Sequence, residues 1–220
     1  MKKICIIPAY NEAEHITEVI SRVRPFVDEI VVVDDCSSDD TAQLAQAAGA
    51  TVLKHPINRG QGAALQTGND YALLKNADII IHFDADNQFC AEEIPDLILP
   101  ITSGRAQVAL GSRFLTKKSK LPASKKNIIM PLARLVNRLF FNIKLSDPQS
   151  GFRVFSKEAA QKIEIKNDGM AHCSEILHQL FKNKLKIEEV PITVVYHEFG
   201  QKFSSGFKII KDLLIRKIIK

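Results

Sequence analysis

Asp84-Ala85-Asp86 is the segment of this chain best suited to chemistry. Two carboxylates one residue apart can both approach a divalent cation, and Mg2+ or Mn2+ prefers oxygen ligands and shares its shell with phosphates. Gln88 offers a third oxygen. Acidic pairs are common in solvated loops, so the setting matters: this one follows the apolar run Ile79-Ile80-Ile81-His82-Phe83, which reads as a strand. A second pair, Asp34-Asp35, follows another apolar run and could grip a base or a ribose, because an ionised carboxylate only accepts hydrogen bonds. Ser37, Ser38 or Asp39 can cap the next helix without either of those carboxylates. Glu12 suits the same cleft, or the first turn of a helix as favourable charge.

Such groups need strands to deliver them. Short β-rich runs at 3–7, 29–33, 51–54 and 78–83 alternate with helical patterns after Asn11, after Ser38 and over 62–75. That alternation predicts β-α-β units and an α/β fold with a mainly parallel, Rossmann-like sheet flanked by helices. In such sheets ligands bind beyond the carboxyl ends of the strands, where Pro8-Ala9-Tyr10-Asn11-Glu12, Asp34-Asp35 and Asp84-Ala85-Asp86 all fall. The second half is less regular: strands are expected at 108–111, 152–155 and 189–196, a mobile loop at 115–127 and a helix at 132–141.

With 220 residues, 45% hydrophobic and 25% charged, the chain suits one domain over 1–220. The four cysteines, Cys5, Cys36, Cys90 and Cys173, form no C-x-x-C pair and suggest neither a zinc site nor a disulfide framework. No signal peptide is apparent and no apolar run approaches the roughly 20 residues that span a bilayer, so a cytoplasmic location with peripheral membrane contact is expected. The net charge of +5 is concentrated in an acid-free basic stretch from Lys117 to Lys144 and at the C-terminus. No aromatic stacking pattern or zinc module points to nucleic acid.

Six ordered segments carry a family likeness: Pro8-Ala9-Tyr10-Asn11-Glu12, Asp34-Asp35-x-Ser37-x-Asp39, Asn58-Arg59-Gly60-x-Gly62-Ala63, Asp84-x-Asp86-x-Gln88, Gly111-Ser112-Arg113 and Asp147-Pro148-x-Ser150-Gly151-Phe152-Arg153. Together they resemble the family 2 glycosyltransferases, most of all the dolichyl- and polyprenyl-phosphate mannose or glucose synthases. The resemblance implies a GT-A fold and an inverting hexosyl transfer from a nucleoside diphosphate sugar of the GDP-mannose or UDP-glucose type. It places Pro8, Tyr10, Glu12 and Asp35 at the nucleoside, Asp84, Asp86 and Gln88 at the metal and diphosphate, and Arg113 and Arg153 at phosphates of donor or acceptor. Arginine's planar fork suits phosphate oxygens. Asp147 is a possible base for a hydroxyl acceptor, or fixes the loop before Ser150. On this basis 1–115 is the nucleotide-sugar half, 116–200 the acceptor half and 201–220 an amphipathic helix.

The acceptor is expected to be a lipid phosphate, met by Lys125, Lys126, Arg134 and Ser150. The terminal helix, apolar through Phe203, Phe207, Ile210, Leu213, Leu214 and Ile218, could lie in an anionic bilayer surface or pack on the sheet. Transfer to a hydroxyl of a lipid-linked or cell-surface glycan is the alternative. A nucleotidyltransferase or a dinucleotide enzyme would need a Gly-rich turn where Pro8-Ala9-Tyr10 stands. A basic lipid-binding scaffold would explain the charge and leave the acidic strand ends unexplained.

Overall fold

The computed structural model describes residues 1–115 and 145–195. Its elements run β1 (Lys3–Ala9), α1 (Ile16–Val23), β2 (Glu29–Asp34), α2 (Thr41–Ala47), β3 (Thr51–Lys54), α3 (Gln61–Leu74), β4 (Ile79–His82), α4 (Ile94–Thr102), β5 (Val108–Ser112), β6 (Arg153–Ser156), α5 (Lys157–Ala160), α6 (His172–Lys182) and β7 (Ile187–Pro191). The seven strands form one sheet in the order β3-β2-β1-β4-β6-β5-β7. All pairings are parallel except those of β6, which runs against both β4 and β5.

The central strands are apolar along their whole length because helices cover both faces. Cys5, Ile7, Val32, Ile79 and Ile81 pack under α1 and α4, while Ile4, Ile6, Val31, Val33 and Ile80 pack under α3 and α6. Each fully buried Ile or Val contributes ~1.5–3 kcal/mol. Helix α3 crosses β1 so closely that a Cβ on Gly68 would collide with Ile6.

The expected α/β order holds, with three differences. The last strand spans Ile187–Pro191 rather than 189–196, because its partner β5 ends at Ser112, opposite Pro191; beyond it Val194 makes only an isolated bridge to Phe89. Helix α4 begins beside Pro95 and carries Pro100 inside, a composition that conceals it from periodicity. Helix α6 buries Cys173, Ile176, Leu177 and Leu180. The loop expected over 115–127, apart from Leu115, and the helices expected over 132–141 and 201–220 lie outside the described residues. Among the described residues no helix is long and apolar enough to cross a membrane.

Strand order reverses direction between β1 and β4, the switch point where a crevice opens beyond the strand ends. Pro8 marks it. Asp35 N–H reaches Ala9 O on the β2 side, and Phe83 N–H reaches Ile6 O on the β4 side, so Pro8 presents its missing donor toward β4. The β1–β4 ladder ends at Ile6 and His82, so no bond is lost there, and the two strands part.

Candidate active site

Three loops leave the carboxyl edge around this crevice, and each contains a left-handed residue: Asn11 (φ 56°), Cys36 (φ 65°) and Asn87 (φ 56°). The first two loops are latched together. Asn11 N–H donates to Ser37 Oγ at 2.9 Å, Ser38 N–H to Asn11 Oδ1 at 2.8 Å, Glu12 N–H to Thr41 Oγ1 at 2.8 Å and Ala13 N–H to Asp39 Oδ2 at 3.1 Å. Asp39 also accepts from Thr41 N–H at 3.1 Å, at the start of α2. The polar residues after Asp35 thus hold the shape of the loops, leaving the exposed Tyr10 at the rim beside them.

Asp35 is buried and turned toward the loop after β3. It accepts from His55 Nδ1 at 2.7 Å, from Arg59 N–H at 2.9 Å and from Gly60 N–H. Burial opposes its ionisation, but these donors outweigh burial and hold its carboxyl below the usual range. Asp35 therefore fixes the loop that starts α3. Gly60 (φ 108°) and Gly62 sit against the backbone of Asn167 and Asp168, where a Cβ on either would collide. The residue between them, Gln61, donates through Nε2 to Asp84 Oδ1 at 3.0 Å.

Asp84 lies at the floor of the crevice, flush against Gly151. Desolvation first, and Asp86 second, push its carboxyl up to about 7, with Arg153 opposing them. Asp86 accepts from Gln88 N–H at 3.1 Å, which closes the turn. Glu12 faces the same charge: burial and Asp86 raise its pKa. The loops after β1 and β4 thus bring Glu12, Asp84 and Asp86 together, with Gln88 closing their turn through its backbone N–H.

The two arginines differ from expectation. Arg153, expected at a phosphate, is 1% exposed, and neither Nη group has a hydrogen-bond partner among the described residues. It forms the floor behind Asp84, between His82 and Cys173. Cys173 Sγ lies 3.4 Å from His172 Nε2; burial opposes its ionisation, yet Arg153 and His172 bring the thiol down to about 6. Burial first, and then Arg153, hold the pKa of His82 well below its ordinary value. Arg113 is bound by Asp147 through Nε at 2.6 Å, Nη2 at 2.7 Å and its backbone N–H at 3.1 Å. Asp147 is buried with both oxygens engaged, so it anchors Arg113 and is not presented as a base. Ser150 Oγ is buried beside this loop without a partner among the described residues. Lys125, Lys126 and Arg134 lie outside the described residues.

No group of three or more His, Cys, Asp or Glu side chains forms a ready-made cage for a metal among the described residues. Two carboxylates completed by phosphate oxygens are what Mg2+ usually takes. The raised Asp84 carboxyl beside Asp86 is the electrostatic mark of a place that a cation relieves, so the residues fit.

Gln61, His172 and Cys173 stand at the site as well, although nothing in the sequence marks them for it. Gln61 was legible only as the variable position of Gly60-x-Gly62.

Residues 4–164 match the model of glycosyl transferase family 2. The UDP-N-acetylglucosamine–dolichyl-phosphate N-acetylglucosaminyltransferase of Methanococcus voltae is 33% identical over 98% of this chain and 96% of its own length. A dolichol-phosphate mannosyltransferase of Pyrococcus furiosus is 34% identical over 97% of this chain and 62% of its own length. In fold the chain is similar to glucosyl-3-phosphoglycerate synthase of Mycobacterium tuberculosis, crystallised with Mn2+, UDP-glucose and phosphoglyceric acid, with a TM-score of 0.77 at 24% identity over 98% of this chain and 79% of that one. Acidic strand ends meeting at the β1/β4 switch point, on a GT-A sheet, agree with the family match, and the chain belongs to the glycosyltransferases of family 2.

Proposed function

We propose that this glycosyltransferase moves a hexose from a nucleoside diphosphate sugar to a polyprenyl or dolichyl phosphate, at the cytoplasmic face of a membrane. The observation that carries the acceptor reading is the capture of Asp147 by Arg113. A hydroxyl acceptor must lose a proton to a base, whereas a phosphate acceptor is already an anion at neutral pH. The names of the two relatives at 33% and 34% identity, both dolichyl-phosphate transferases, support the same acceptor.

In this reading Pro8, Tyr10 and Glu12 line the nucleoside, and Asp35 acts through the Arg59–Gly60 loop that carries Gln61 to Asp84. Asp84, Asp86 and Gln88 hold Mg2+ or Mn2+ against the diphosphate; when bound, the cation neutralises the charge of the leaving group. The acceptor phosphate oxygen forms a bond to the anomeric carbon as the bond from that carbon to the diphosphate oxygen breaks, with inversion. Arg113 steadies a phosphate in the cleft, and Arg153 supports Asp84 from below. Lys125, Lys126, Arg134 and Ser150 are assigned to the acceptor phosphate, and the basic terminal helix to the bilayer surface.

The test is nucleoside diphosphate release from UDP-N-acetylglucosamine, UDP-glucose and GDP-mannose, with Mn2+, with and without polyprenyl phosphate. Release that needs both metal and lipid phosphate and falls at least ~100-fold in Asp86→Ala is expected. Metal-independent release, or release unaffected by lipid phosphate, would overturn the reading.

A further inference from the structure

We propose that Glu189 is a positioning residue for sugar transfer, acting through Ser146 and Asp147 to fix the guanidinium of Arg113 at the carboxyl edge of the sheet. The inference rests on the reading of the cleft given above, in which Arg113 meets a substrate phosphate.

Glu189 belongs to β7, the edge strand, opposite Leu110 of β5. Its carboxylate gathers three donors from the far side of the chain. Oε1 accepts from Ser146 N–H at 2.9 Å, Ser146 Oγ at 2.7 Å and Asp147 N–H at 3.1 Å, and Oε2 accepts from Ser146 N–H at 2.9 Å. Hydrogen bonds to an ionised acceptor are roughly twice as strong as neutral ones. With its own N–H so held, Asp147 is fixed at the backbone, and its side chain in turn holds Nε and Nη2 of Arg113. The orientation of the rest of the fork follows from that grip.

The relay also joins the end of β5 to the segment that precedes β6. Ser112 Oγ meets Ser146 Oγ, Arg113 meets Asp147, and Glu189 ties Ser146 to β7. Glu189 is only partly buried and belongs to neither apolar cluster, so the packing of the sheet does not explain why a carboxylate stands there. Gln would keep one acceptor oxygen for these donors, whereas Ala would leave Ser146 N–H and Asp147 N–H without their acceptor.

The experiment is a double-mutant cycle in the full chain with Mn2+, donor sugar and polyprenyl phosphate, comparing Glu189→Ala, Arg113→Ala and the pair. A parallel measurement takes the Mn2+-dependent affinity for UDP and GDP. Glu189→Ala is expected to lower kcat/KM by about tenfold and, combined with Arg113→Ala, to add nothing to the loss that Arg113→Ala causes alone. Glu189→Gln should recover most of the loss. Additive losses, or a Gln variant as poor as Ala with an equal fall in melting temperature, would overturn the inference and leave Glu189 a structural residue. If the wild-type chain transfers no sugar to polyprenyl phosphate, the acceptor reading fails by itself; the same cycle on nucleotide affinity then decides Glu189, with coupling supporting the relay and additivity or no effect overturning it.

Discussion

The side-chain amide of Gln61 donates to Asp84 Oδ1 at 3.0 Å, which puts the first residue of α3 in contact with the first carboxylate of the Asp84-x-Asp86 turn. Residues that orient a metal ligand typically matter about 10–100-fold for metal affinity. Gln61→Ala is therefore expected to weaken Mn2+-dependent nucleoside diphosphate binding about tenfold, and Gln61→Glu further, because a second carboxylate would face Asp84. Isothermal titration checks both. Unchanged affinity in the two variants would remove Gln61 from the site.

Asp84 sets a pH dependence in the metal-free protein. Its carboxyl lies at about 7, against an ordinary value of about 3.9, so between those values the folded chain binds more protons than the unfolded one. Stability falls as pH rises through that window, by an amount on the order of a few kcal/mol. Asp84→Asn keeps the oxygen that Gln61 contacts and removes the charge. In chelator at pH 8 its melting temperature should exceed the wild type's by several degrees, and near pH 4 the gain should vanish. A variant that melts lower at pH 8 would contradict this account.

Gly151 lies flush against the same carboxylate, so a methyl group there must displace Asp84. Gly151→Ala is expected to lower Mn2+ affinity by roughly tenfold or more while costing little in melting temperature, since an aspartate side chain can swing aside. Metal titration and thermal melting distinguish this from general misfolding, in which both would fall together.

Asp35 behaves in the opposite sense to Asp84. Its donors hold the carboxyl below the usual range, so it contributes stability above the ordinary value near 4, and that contribution is lost as pH falls through its folded value. Asp35→Asn sets an amide N–H2 against existing donors and should cost about 2–4 kcal/mol at pH 7. The gap between wild type and variant should narrow below about pH 4. Chemical denaturation across pH 3–8 reads it, and a gap that stays constant would show that ionisation of Asp35 is not what the loop relies on.

Much of this was legible along the chain. Strand β3 spans Thr51–Lys54, as its apolar run implies, and the acidic pairs fall at the ends of β2 and β4 because period and strand length are local properties. Pairings across the sheet were not local. Arg113 and Asp147 are 34 positions apart, and Glu189 lies 42 beyond Asp147, so both arginine and aspartate looked available for substrate when one was in fact spent on the other. Arg153 misled for a similar reason. Its motif announces a charged residue, but only the ladder with His82 shows that β6 carries it beneath Asp84. Nothing in Ile187–Pro191 distinguishes Glu189 from its neighbour Glu188, which instead pairs with Arg105 at the surface.

The place of β6 between β4 and β5 has a consequence for how the molecule is made. Strands β4 and β5 are both synthesised before β6, yet neither pairs with the other. A growing chain that has reached Ser112 therefore carries β4 with an open edge and β5 without either of its partners, and the whole basic stretch must emerge before Arg153–Ser156 can bridge the two. Long-range closure of this kind slows folding and lengthens exposure to aggregation. The same late strand brings Gly151 and Arg153 to Asp84, so the floor of the crevice takes shape only with the strand that joins the two halves of the sheet.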